Sequence, residues 1–380
     1  MSAVEREIKT RLKESFNKRK IVVLIGARRV GKTTLLRQIA KEKSMNTLWL
    51  NAKDQSVADR LERRTVDNYK RLFNGYQLVV IDEAQQIPQI GKILKLIADE
   101  IENITVVVTG SAALEMATSM GEPLTGRKIT IRMYGLSERE FAAYSANYVN
   151  YMEGLQQRII FGGYPELVNL TTNEEKVAYL RELTQDYLLK DILSFESVRN
   201  SSKILNLLRL LAFQVGGEVS YQELGKNLSI SKNTVERYLD LLSKLFVIQK
   251  VEGFSRNLRK EVVKSSKWYF LDNGMLNVLL TNFNPPNLRE DMGRLWENHM
   301  IAERLKWQHF KNHLVQNHFW RTYDQQEIDW VEETDGQLNG YEMKWNHKRK
   351  SKVPGAWAKA YPNAGFEVIT QENFVDWLEV

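Results

Sequence analysis

The chain has no cysteine among its 380 residues, which excludes disulfides and thiolate metal sites and suits a reducing cytosol. Long hydrophobic runs are missing as well. The apolar stretches IVVLI, LVVI and ITVVV fall far short of the roughly 20 residues that a membrane-spanning helix needs. The opening MSAVEREIKTRLKESFNKRK is a charged helical pattern without the apolar centre of a signal peptide. The expectation is a cytoplasmic protein with no membrane association. Internal repeats and low-complexity tracts are absent too.

What is present describes a folded chain. A hydrophobic content of 43% with 10% aromatics is ordinary for globular proteins, and the length allows two or three domains. Lys and Arg number 54 against 47 Asp and Glu, a formal net charge of +7, which is compatible with a polyanionic partner such as DNA. Residues 1 to about 130 alternate short β-rich runs, at 21–25, 47–50, 78–81 and 104–109, with helical patterns. That alternation is the signature of a parallel sheet with crossover helices. From about 135 to 215 the pattern is helical, broken by FGGYP at 161–165. The double proline of NFNPPN at 282–287 marks a linker, and mixed α and β patterns follow it.

GARRVGKTT places Gly26, Gly31, Lys32 and Thr33 in G-x-x-x-x-G-K-[ST] spacing, directly after a strand and before a helical pattern that starts near Lys32. In such a loop the backbone at Gly26, Arg28, Arg29, Val30, Gly31 and Thr34 wraps the phosphates of a nucleotide. Lys32 reaches the β and γ phosphates, and the Thr33 hydroxyl ligates Mg²⁺. LVVIDEAQQIP delivers Asp82 and Glu83 to the carboxyl end of a buried strand, Asp82 to hold Mg²⁺ and Glu83 to polarise an attacking water. The strand TLWLN lies between the two motifs, so a strand is expected to be inserted between the phosphate-loop strand and the Asp82 strand, as in the ATPase branch of P-loop proteins. ITVVVTGSA ends in Thr109 and Ser111, whose hydroxyls either sense the γ-phosphate or water, or cap a helix. Arg127 in LTGRK is a candidate for stabilising the transferring phosphoryl, in cis or on a neighbouring subunit, with a plain surface arginine as the alternative.

The segments GARRVGKTTLLRQIA, VVIDEAQQIP, TGSAALEM, LTGRKITIRMYGLSEREF and GGYPE occur in this order. On them essentially the whole chain resembles the AAA+-type prokaryotic ATPases that carry a C-terminal domain of unknown function. The resemblance implies ATP and Mg²⁺ as ligands.

Farther along, VSYQELGKNLSISKNTVERYLDLLSKLFVIQKV reads as helix-turn-helix. Ser231 suits the N-cap of the second helix, Val235, Tyr238, Leu239 and Leu242 form its apolar stripe, and Lys232, Asn233, Thr234 and Arg237 remain exposed. The two strands that follow read as a wing carrying Arg256, Arg259, Lys260, Lys264 and Lys267, suited to phosphates. Such a module either binds nucleic acid or serves as a packing or lid domain for the ATPase. KWYFLDNGML at 267–276 looks like a segment of the same family.

YEMKW at 341–345 reads as a strand with Glu342 and Lys344 on one face. The bland reading is an exposed ion pair on a wet face. Upstream, EIDWVEE carries Asp329 on a strand, and TDG at 334–336 is a turn signal, so a hairpin can bring Asp329 close to Glu342. Glu297 shares a helical stripe with Ile301 and Leu305. An acid on a helix, an acid on a strand, and an acid, any residue and a lysine on the next strand are similar to the PD-(D/E)XK nuclease core. There the carboxylates, here Glu297, Asp329 and Glu342, bind a hard cation, and the lysine, here Lys344, steadies the attacking water. The basic run with Lys348, Arg349, Lys350 and Lys352 follows, either to hold a nucleic-acid backbone or as a solvated loop.

The expected architecture is α/β: a P-loop ATPase domain with an AAA+/ASCE-type parallel sheet (1–145), a helical connector (146–200), a winged-helix-like domain (201–282) and a small nuclease-like α/β domain (283–380). The expected function is ATP binding and hydrolysis that controls a DNA-binding winged helix and a nuclease-like domain, with metal-dependent DNA cleavage left open. The alternative is an ATP-dependent switch for a protein partner with an inactive nuclease-like domain. An oligomer is compatible with both.

Overall fold

The computed structural model describes residues 4–16, 19–111, 124–188, 201–255, 266–346 and 352–380. Two compact units emerge, Ser2–Gly135 and Leu136–Val380. No helix among the described residues is long and apolar enough to cross a membrane.

In the first unit the β-branched runs become strands β1 (Ile21–Ile25), β2 (Thr47–Asn51), β3 (Leu78–Asp82) and β4 (Thr105–Gly110), joined by β5 (Lys128–Arg132). All pairings are parallel, in the order β2-β3-β4-β1-β5. An inserted strand therefore separates β1 from β3, but it is β4 rather than TLWLN. The apolar VVV of β4 is buried on both faces, as a central parallel strand requires. TLWLN, the β2 strand, leaves Trp49 36% exposed and lies at the sheet edge beyond β3. The helices are α1 (Ile8–Ser15), α2 (Lys32–Glu42), α3 (Gln55–Glu62), α4 (Val66–Phe73) and α5 (Ile90–Glu100). Asp54 and Thr65 cap α3 and α4 through their side chains.

The second unit begins with the helices Glu138–Tyr144, Tyr148–Glu153, Leu155–Phe161 and Asn173–Glu182. Next come the helix Ser201–Phe213, strand β6 (Glu218–Val219), the helices Tyr221–Leu228 and Lys232–Lys244, and strands β7 (Ile248–Gly253) and β8 (Ser266–Phe270). After the long helix Met292–Phe310 come β9 (Gln316–Arg321), β10 (Glu327–Thr334), β11 (Gln337–Met343) and β12 (Gly365–Ile369). One seven-stranded sheet joins them in the order β12-β11-β10-β9-β7-β8-β6. The expected boundary at 282/283 thus falls between strands of a single sheet, because β7 pairs in parallel with β9 through Glu252 and His318. Ser231 caps its helix by accepting from the Thr234 N–H at 3.1 Å. Asp335 and Gly336 both take positive φ, 51° and 79°, as a two-residue hairpin turn requires.

A buried charge network ties the start of this unit to its long helix. Glu138 accepts from Arg158 Nε at 2.9 Å and from Tyr151 OH at 2.7 Å, and its Oε1 lies 2.9 Å from His299 Nε2. Glu303 accepts from the Glu138 N–H at 2.7 Å and from Lys306 Nζ at 2.6 Å. Burial pushes the Glu138 carboxyl up, but the Arg158 charge and the hydrogen bond to His299 outweigh it and hold the group well below the usual carboxylate range.

Candidate nucleotide site and a buried carboxylate cluster

The loop after β1 is shaped by two glycines. A Cβ on Gly26 would lie 2.0 Å from the Met133 carbonyl oxygen, so only glycine fits there. Gly31 has φ 96° and forms the N-cap of α2. Lys32 turns back over the loop and donates to the carbonyls of Gly26 at 3.0 Å and Ala27 at 2.8 Å. Val30 is buried, Arg28 is half-buried, and Arg29 and Thr34 are exposed. Arg6, buried just before α1, braces the loop by donating to the carbonyls of Val30 at 2.7 Å and Tyr134 at 2.6 Å. Gly26→Ala is expected to abolish tight nucleotide binding, since the Met133 carbonyl and the loop cannot both keep their places. Titration with a fluorescent ATP analogue measures this, and unchanged affinity would refute the close-packing account.

Asp82 is the centre of the site. Thr33 donates to its Oδ2 at 3.0 Å, and the Thr109 hydroxyl donates to its Oδ1. One hydroxyl and one carboxylate are hard oxygen donors that suit Mg²⁺, which keeps several waters and takes its other ligands from phosphates. The Glu83 N–H donates to Thr109 Oγ1 at 3.4 Å. Its carboxylate is paired with Lys53 at 3.0 Å and accepts from Gln85 Nε2 at 2.6 Å. Burial works to raise the Glu83 pKa, but Lys53 and Gln85 bring it below the ordinary value. Ser111 is buried one residue past β4.

Arg127 is not brought to this site. It is ion-paired with Asp99, and its carbonyl accepts from the Ile21 N–H at 2.9 Å. That contact is at the start of β1, whereas the phosphate loop leaves from its end. In a parallel sheet those are opposite edges, so a cis role for Arg127 is corrected.

The second unit gathers a cluster of its own. Trp330 pairs with Tyr341 across β10 and β11, and the next step along each strand reaches Asp329 and Glu342. The Met343 N–H donates to Asp329 Oδ2 at 2.9 Å, and Lys344 Nζ donates to Glu342. Glu297, from the long helix, accepts from Tyr269 OH at 2.8 Å. Lys267, only 1% exposed, is ion-paired with Glu327 and lies 3.9 Å from Glu297. Burial, and then the Asp329 charge, pushes Glu297 up to about 8. Burial also raises Asp329 and Glu342, against Lys267 and Lys344 respectively.

One expectation is corrected here. Lys267 is not a wing residue facing solvent; it is buried among these acids. Arg256, Arg259, Lys260 and Lys264, like Lys348, Arg349 and Lys350, lie outside the described residues. Further, Glu297, Asp329 and Glu342 are close together, yet among the described residues no group of three or more His, Asp or Glu side chains is placed to hold a metal ion. Each of the three accepts from a protein donor.

Residues 18–142 match the family model of the AAA domain. The first unit carries an AAA-type P-loop ATPase domain. Residues 152–286 match the domain of unknown function DUF8612, and residues 292–377 match DUF4143, also a domain of unknown function. An uncharacterized protein of Mycobacterium tuberculosis is 27% identical over 342 residues, covering 89% of this chain and 73% of its own. Another, from Methanocaldococcus jannaschii, is 24% identical over 404 residues, covering 95% of this chain and 86% of its own. Among solved structures, the Thermotoga maritima RuvB Holliday junction branch migration motor is 15% identical, covering 65% of this chain and 89% of its own. Its TM-score of 0.32 carries no conclusion about this chain.

Apart from one cue, Arg6, Lys53, Tyr269, Glu327 and the cluster role of Lys267 had no signal in the sequence. Each acts on a partner distant in the chain, and none belongs to a spaced motif. The one cue was KWYFLDNGML, an alternating strand that holds Lys267 and Tyr269 on one face.

Proposed function

We propose that this chain hydrolyses ATP at Lys32, Thr33, Asp82 and Glu83 and that its nucleotide state controls DNA binding by a winged-helix-like segment, residues 201–282. The observation that carries the ATPase half is Asp82 held between the Thr33 and Thr109 hydroxyls. Bound Mg²⁺ would supply positive charge to the phosphates beside Thr33 and Asp82. Lys32 exchanges its two loop carbonyls for the β and γ phosphates, and Glu83, ionised at neutral pH, accepts the proton of the attacking water. Arg127, at the far edge of the sheet, serves a neighbouring subunit in this reading.

The DNA half is supported by the order helix, β6, helix, helix, β7, β8, which is that of a winged helix. Helix Lys232–Lys244 buries Val235, Tyr238, Leu239 and Leu242 and leaves Lys232, Asn233 and Arg237 exposed. Residues 146–200 are the connector in this reading, and residues 283–380 are a nuclease-like domain that does not cleave. The buried Lys267 ammonium, 3.9 Å from Glu297, favours that inactive form.

Fluorescence anisotropy with duplex and single-stranded DNA tests the proposal. Binding is expected to fall steeply between about 50 and 200 mM salt, and Lys232→Glu and Arg237→Glu should each reduce the salt slope by about 1. Absence of salt-dependent binding at protein concentrations of about 10⁻⁴ M would reject the DNA reading in favour of a protein-partner switch. Plasmid nicking in Mg²⁺ or Mn²⁺ that Lys344→Ala removes would overturn the non-cleaving assignment.

A further inference from the structure

The acids of the second unit pose a charge problem that the proposed function does not address. Glu297, Glu327, Asp329 and Glu342 are gathered on the long helix, β10 and β11, and unpaired carboxylates in such a place repel one another strongly. Lys344 takes Glu342. Arg321 of β9 lies 3.9 Å from Glu327 at the more exposed side, and a further cation comes from a different part of the chain. Lys267 stands on β8, 1% exposed, ion-paired with Glu327 and 3.9 Å from Glu297. Its ammonium also lies 5.2 Å from the Phe319 ring centroid on β9, a favourable placement for a desolvated cation.

Two neighbours complete the enclosure. Tyr269, on the same face of β8 two residues on, donates to Glu297. On another side the backbone of Gly216 comes so near that a Cβ there would lie 2.8 Å from Glu297 Oε1. Glu297 is left 13% side-chain exposure, with Tyr269, Lys267 and the Gly216 backbone around it.

We propose that the Lys267 ammonium is the resident cation of this cluster, standing where a divalent metal would otherwise balance the carboxylates, and that it locks β8 to helix Met292–Phe310 and to β10. The cluster is thereby an internal electrostatic joint between the winged-helix-like strands and the nuclease-like strands of one sheet. This holds whether or not the first unit hydrolyses ATP.

The test is Mn²⁺ binding to the nucleotide-free full chain, followed by loss of the free-ion electron paramagnetic resonance signal. Mn²⁺ held near Asp82 is common to all variants and cancels. Lys267→Met should gain at least about tenfold in Mn²⁺ affinity over wild type, the least expected from removing a cation at this range. Lys267→Arg, which keeps the charge, should bind no more Mn²⁺ than wild type. The gain should vanish again in Lys267→Met combined with Asp329→Asn. Wild-type binding of one Mn²⁺ that Asp329→Asn abolishes would show a metal centre and overturn the proposal. So would a folded Lys267→Met with no added Mn²⁺ affinity. If Lys267→Met does not fold, the wild-type and Asp329→Asn pair still decides, since the proposal requires the two to bind Mn²⁺ alike.

Discussion

Glu83→Gln is expected to slow ATP hydrolysis by roughly 10²–10⁴-fold, the usual effect of removing a general base, while ATP binding stays near wild type. The carboxylate is one residue beyond Asp82, at the carboxyl edge of the sheet where the phosphate loop also ends. It is kept in its basic form by Lys53 and Gln85, which bring its pKa below the ordinary value despite burial. An amide of the same shape can keep a hydrogen bond to Gln85 but cannot take a proton from water. Lys32→Ala behaves differently, losing nucleotide affinity along with turnover, because its ammonium is the charge placed over the loop. Single-turnover hydrolysis beside equilibrium binding separates the two effects. Wild-type turnover by Glu83→Gln would remove Glu83 from the mechanism.

Arg158→Met is expected to destabilise the second unit by about 3–5 kcal/mol, since it leaves Glu138 buried without its main cation. At that size of unit the melting temperature should fall by roughly 6–20 °C. Glu138 is 1% exposed and Arg158 is 8% exposed, so water cannot take over the lost contacts. The sign of the pH dependence follows from the depressed carboxyl. In the wild type Glu138 contributes stability that is fully present above its unfolded pKa of about 4.3 and is lost as pH falls through the lower folded value. Without Arg158, burial dominates and the folded pKa rises, so the variant loses further stability as pH increases past the unfolded value. The gap in melting temperature between wild type and Arg158→Met should therefore widen from pH 4 to pH 7, as circular dichroism can follow. A gap that is constant or narrows would mean that the ion pair is not what holds Glu138 in place.

Local chemistry made several features legible in the chain itself. The phosphate loop follows from glycine spacing between a strand and a helix, the Ser231 cap from a hydroxyl before an apolar stripe, and the Asp335–Gly336 turn from two residues that tolerate positive φ. The approach of Asp329 to Glu342 follows from that turn, because a two-residue hairpin sets the register of both strands. All of these depend on neighbours within a few residues or on a period of 2 or 3.6.

Tertiary structure decided the rest, because side-chain environment depends on which distant segments share a sheet. That β4 rather than β2 lies between β1 and β3 was settled by which apolar run could be covered on both faces. The same sheet order sent Arg127 to the edge away from the nucleotide loop and brought Arg6 against Val30 and Tyr134. Lys267 shows the difference most plainly: in sequence it ends a run of basic residues and looks solvated, but pairing of β7 with β9 buries it against acids from the long helix and β10. A charge pattern along a strand gives composition, whereas the sign and depth of its surroundings come only from the elements that fold over it.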